Sequence, residues 1–133
     1  MSRGLRNCNP GNIRQSRSNF KGEVRPSRDS AFKQFESMAY GYRAMFVLLN
    51  SYHKRYGLTT IREMISRWAP PSENFTEGYI RFVSERSGIA ADAEVDSHSE
   101  RDMVPIVAAM SEIENGTKAA MTDVYEGWKL FSR

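Results

Sequence analysis

Residues 38–56 read MAYGYRAMFVLLNSYHKRY, and the recurrence of their apolar side chains decides the fold. Met38, Tyr42, Met45, Leu49, Tyr52 and Tyr56 alternate at spacings of four and three, which is one stripe of an α-helix. Ala39, Phe46 and Leu48 widen the stripe, so this helix is expected to be buried on more than one side. Gly41 and Ala44 are small enough to let a second backbone approach. Gly57 is the expected stop, because glycine accepts the left-handed conformation that closes helices.

The pattern continues outward as helices. Thr60 and Glu63 form a capping box, after which Ile61, Met64, Ile65 and Trp68 share a face. Pro70 and Pro71 stop that helix, since neither can donate the next hydrogen bond. A second cap signal at residues 74–77 opens a helix with Phe75, Tyr79, Phe82 and Val83 expected inward, closed by Gly88. Asp102 is read as the cap of a fourth helix, with Pro105 in its first turn. Met103, Val107, Met110 and Ile113 are its expected inward face, and Asn115-Gly116 its end. A last helix over 122–131 is expected to bury Val124, Tyr125, Trp128 and Phe131.

The first 35 residues differ. They are rich in Arg, Asn, Ser, Gly and Pro, with residues 9–12 (NPGN) reading as a turn. Residues 20–24 and 31–35 suggest two short strands around a polar loop. The expected fold is mainly α (α+β), a single domain over 1–133. Residues 1–35 make a basic irregular lobe with a short β-hairpin, and 36–133 make the helical body.

Composition limits the function classes. No apolar run approaches the length a bilayer span needs, and the first residues lack a signal-peptide core. The lone Cys8 cannot pair within the chain. The net charge of +3 conceals an asymmetry: residues 1–67 hold 13 Lys/Arg and 4 Asp/Glu, and the remainder hold 6 and 12. A basic first half suits a polyanionic partner such as nucleic acid or an anionic wall polymer. Nucleic acid is the weaker choice, because the arginines at 3, 6, 14, 17, 25 and 28 lie in a loop-rich segment without a recognition helix. His53 and His98 stand far apart and no metal-ligand spacing or phosphate loop occurs, so neither metal nor cofactor is expected.

Carboxylates remain as the carriers of chemistry. A glycosidase needs a carboxyl group able to protonate a leaving sugar oxygen. Glu23, between an aromatic and a β-branched residue, and Glu73, after two prolines, are the catalytic candidates, with Glu36 and Asp29 considered beside them. Aromatic faces stack on sugar rings, which points to Trp68, Phe75, Tyr79 and Tyr40.

Residues 3–14, RGLRNCNPGNIR, resemble the opening of small phage and prophage proteins, often labelled virion structural protein P5 or lytic-enzyme-like. The same family has an F-x-x-F segment, matched by Phe32 and Phe35. Its G-x-RA helix is matched at 41–44, and its RWAPPSEN block followed by YI is matched within 60–80. The resemblance covers about residues 3–90. The order of these parts is also similar to lysozyme-like peptidoglycan hydrolases and lytic transglycosylases. That implies a lysozyme-like domain that cleaves the glycan strand between N-acetylmuramic acid and N-acetylglucosamine. Glu73 and Asn74 would stand at a cleft edge, Trp68 and Tyr79 as supports, and Asn9 and Asn12 on the substrate side. Other virion proteins are further expected partners, and the expected location is the virion or the host cell, with action at the wall. Those hydrolases carry their acid in a Glu-Ser motif at a helix end upstream of the Asn-rich turn. Here no acidic residue precedes Asn7, and Glu36-Ser37 starts a helix instead of ending one. Either the acid lies elsewhere, with Glu23 the first choice, or the protein binds glycan or serves the virion without cutting.

Overall fold

A computed structural model describes residues 1–71 and 75–133. Its elements run α1 (Arg3–Arg6), β1 (Glu23–Val24), β2 (Gln34–Phe35), α2 (Met38–Tyr56), α3 (Ile61–Trp68), α4 (Thr76–Ser87), α5 (Glu100–Asn115) and α6 (Met121–Ser132). The protein is mainly helical with one two-stranded sheet among the described residues. No helix among these residues is long and apolar enough to cross a membrane.

Helix α2 is the axis. Ser37 caps its start by accepting from the Tyr40 N–H, and Gly57, at φ 66°, ends it. Tyr42, Ala44, Met45, Phe46 and Leu49 are almost wholly buried. Helix α6 lies along one side, where Phe46 meets Trp128 edge-to-face at 5.0 Å and Phe131 stacks at 6.0 Å. On another side the Tyr42 hydroxyl shares a 2.8 Å hydrogen bond with Ser111 of α5. Helices α3 and α4 pack on each other, and α4 on α5, which closes an apolar core of Met, Ile and Val. The Thr60–Glu63 capping box forms with both of its bonds.

Several inward assignments fail at the element ends. Phe75 is 82% exposed, because it precedes the first turn of α4 and its ring lies over Gly78 instead of on the helix's inner face. Tyr125 and Ile113 also face out, being at the margins of stripes centred on Val124 and Met110. Ser99, not Asp102, caps α5 by accepting from the Asp102 N–H, so α5 starts at Glu100 and Pro105 falls in its second turn.

The N-terminal lobe is built on the expected hairpin, shortened to the antiparallel pairs Glu23↔Phe35 and Val24↔Gln34. An isolated bridge, Arg14↔Phe32, extends it toward the 9–12 turn. Strand alternation puts Lys33 and Phe35 on one face, and that face is the interior. The lobe seats on α2 at Gly41, where any Cβ would overlap the Cys8 carbonyl and meet Pro10 Cδ at 2.6 Å. Gly41 therefore serves the close approach that its size suggests.

Asp29 ties the lobe's loops together. It accepts from Arg3 at 2.6 and 2.7 Å, from the Asn7 amide at 3.0 Å, and from the Ala31 and Phe32 N–H groups. The Arg3 hydrogen bonds, then those backbone donors, hold its carboxyl well below the usual carboxylate range. A folded-state pKa below the unfolded value adds stability that is fully present above the unfolded pKa and is lost as pH falls. Acid titration should therefore weaken the lobe below about pH 4, and Asp29→Asn should remove that part of the pH dependence. Hydrogen exchange of the Ala31 and Phe32 amides across this window measures it directly.

Candidate functional site

The described residues form a hollow of about 430 Å³ where the 9–12 turn, α3 and the end of α5 converge. Gly11, Asn12 and Arg14 line one side, Tyr52 and Trp68 the other, and Glu114 enters from α5. The turn reaches this position because Gly11 has no side chain: a Cβ would stand 2.8 Å from the Trp68 ring and 3.0 Å from Met45. Trp68 is fixed by Tyr52, edge-to-face at 6.5 Å.

Glu114 is the carboxylate of this hollow. Asn12 Nδ2 donates to its Oε1 at 2.9 Å, and the Tyr79 hydroxyl donates to its Oε2 at 3.0 Å. Burial, then the Glu114 charge and hydrogen bond, push the Tyr79 phenol well above its ordinary pKa, so it remains a donor. Asn12 adopts φ 50°, a left-handed conformation that asparagine tolerates better than most residues. The neighbouring Asn115 anchors the assembly. Its amide donates to the Pro10 carbonyl at 2.8 Å, and its Oδ1 accepts from Ser2 at 2.7 Å. Residues more than 100 positions apart thus form one unit.

Among the residues expected to act, Asn12 and Trp68 line the hollow and Tyr79 backs it. Glu73 and Asn74 lie outside the described residues. Asn9 is a correction. It is fully buried, donates to the Ile13 and Lys33 carbonyls at 2.9 Å each, and accepts from the Ile13 N–H. Its amide is spent inside the lobe and holds the turn instead of facing a ligand.

Glu23 is placed away from the hollow. Its carboxylate is 3% exposed and accepts from Lys33 at 3.0 and 3.2 Å, Arg25 at 3.1 Å and the Phe20 N–H at 3.2 Å. A proton on Glu23 would leave the wholly buried Lys33 ammonium without counter-charge. This pair is a structural tie between β1 and the residue that precedes β2. Glu36 is exposed and Asp29 is the loop anchor described above. Several basic residues are likewise committed within the lobe. Arg3 and Arg25 are in ion pairs, Arg28 donates to Asn7, and Arg14 lies over the Phe32 ring.

Two stability outcomes follow. Glu23→Gln should cost about 3 kcal/mol by stranding Lys33, and Asn9→Ala should cost about 2–3 kcal/mol by leaving buried backbone groups unpaired. Denaturant unfolding of both variants beside Glu114→Gln, which should fold normally, checks this separation of roles.

No family model matches the chain. The chain is 36% identical over 119 residues to protein P5 of Pseudoalteromonas phage PM2, spanning 87% of this chain and 72% of that protein. That similarity extends well past the motifs of residues 3–90, and with it the chain belongs to the phage protein P5 family.

Proposed function

We propose that this protein cleaves the glycan strand of peptidoglycan with a lysozyme-like site, and that Glu114 is its general acid and base. The observation that carries the reading is the placement of Glu114. A carboxyl group in the last turn of a helix meets an Asn-rich turn across an aromatic-walled cleft. The resemblance to lysozyme-like hydrolases lacks an acid upstream of Asn7, and on this reading Glu114, near the far end of the chain, would supply it.

The arrangement supports a simple proton path. Glu114 would protonate the glycosidic oxygen as the bond to the muramyl C1 breaks. The carboxylate left behind would then take the proton from the group that attacks C1. One carboxyl group can perform both steps when the attacking group is the muramyl 6-hydroxyl, giving an anhydro end; a water gives a reducing end. Asn12 and Tyr79 are neutral donors that orient Glu114. Trp68 and Tyr52 offer ring faces for the sugars. A protein of this family would reach the wall from the virion or from the infected cell.

The test is release of soluble muropeptides from purified peptidoglycan, with products identified by mass spectrometry. Wild type should release them, and Glu114→Gln should lower the rate by about 10²–10⁴-fold with unchanged folding. Glu23→Gln, assayed under conditions where it remains folded, should retain turnover. Absence of release by folded wild type would favour a non-catalytic virion role instead.

A further inference from the structure

A second hollow, of about 830 Å³, adjoins the first. Tyr52 lines both. The second hollow is bounded further by Tyr56, Arg62, Glu63 and Arg67. Of its three charged residues, Arg62 is paired with the carboxylates of Asp92 at 2.8 Å and Glu77 at 3.3 Å, and Glu63 is an anion whose Oε1 is held by the Thr59 and Thr60 N–H groups.

Arg67 differs. Its guanidinium stands 3.9 Å from the Tyr56 ring centroid and 5.4 Å from that of Tyr52. It makes no ion pair among the described residues. A guanidinium held on aromatic faces keeps its N–H edge available, and that edge matches a planar carboxylate in bidentate fashion. The hollow thus presents the Arg67 guanidinium beside a cleft, one helical turn from the Glu63 carboxylate, and its N–H edge suits an anion attached to whatever fills the cleft.

We propose that this second hollow binds the acidic peptide branch of the glycan strand, with a free peptide carboxylate on Arg67. The inference rests on the glycan-cleaving reading, because muramyl residues carry such peptides on their lactyl groups. A strand in the first hollow would direct a branch past Tyr52 into the second. The protein would then prefer peptide-bearing strands over bare glycan.

Two substrates separate the possibilities: intact peptidoglycan, and glycan strands stripped of peptide by an amidase. Arg67 is exposed, so Arg67→Gln should fold as wild type does. It should lose about tenfold in kcat/KM on intact peptidoglycan and nothing on stripped strands, with Arg67→Lys recovering part of the loss. Equal losses on both substrates, or none on either, would overturn the proposal. Calorimetry on Glu114→Gln protein decides independently of turnover. The probe is a muramoyl-peptide with a free glutamate carboxylate, beside the same compound amidated there. Tighter binding of the free acid, abolished by Arg67→Gln, sustains the subsite even where wild type cleaves nothing and the glycosidase reading fails. Indifference to amidation or to Arg67→Gln refutes the subsite even where cleavage is robust.

Discussion

The seating of one short turn, residues 7–12, governs the rest of the structure. Asn9 closes it through two buried hydrogen bonds with Ile13 and fastens it to the hairpin through the Lys33 carbonyl, Gly41 lets it lie against α2, and Asn115 holds it to α5. Its contacts with Lys33, Gly41 and Asn115 are local in space and remote in sequence. The turn has little apolar surface of its own, so hydrogen bonds and close backbone approach, more than hydrophobic burial, determine where it rests. Without it Asn12 would not reach Glu114, and Gly11 would not pack on Trp68.

The helical body was legible because its signals are short-range. A stripe at spacings of three and four located α2 to within its caps, and the Thr60–Glu63 box marked the start of α3. Stripe margins read less well. Phe75 and Tyr125 carry large side chains that stay exposed, and periodicity within one helix does not reveal which neighbours exist. Lys33 shows the converse. Strand alternation assigns it to the face of Phe35, while its charge argues for solvent. The interior position holds because Glu23 and the Ser16 and Ser18 carbonyls receive its ammonium.

The candidate site was half legible. Trp68, Asn12 and Tyr79 stood out by residue type and motif, whereas Glu114 did not, because nothing near it in sequence is chemical in character. One local signal did exist. A helix C-terminus carries partial negative charge and favours Lys or Arg, yet the last turn of α5 contains no basic residue and ends on Glu114-Asn115. Such breaches of a local rule without local compensation tend to mark functional positions. Here the compensation comes from Tyr79 on α4 and from Asn12 at the other end of the chain.

Glu23 and Glu114 show how one residue type takes two roles through its donors. Glu23 is enclosed by Lys33 and Arg25, cations that lose their partner if it gains a proton. Glu114 is met by an amide and a phenol, neutral donors that hold both of its oxygens. The same distinction organises the basic half of the chain. Arg3, Arg25 and Lys33 are consumed in holding the lobe, so a count of basic residues overstates what is left for a polyanion. Arg67 escapes that economy because aromatic rings, not carboxylates, hold it. Its charge is positioned on the Tyr56 and Tyr52 rings, in the hollow that shares Tyr52 with Glu114's cleft.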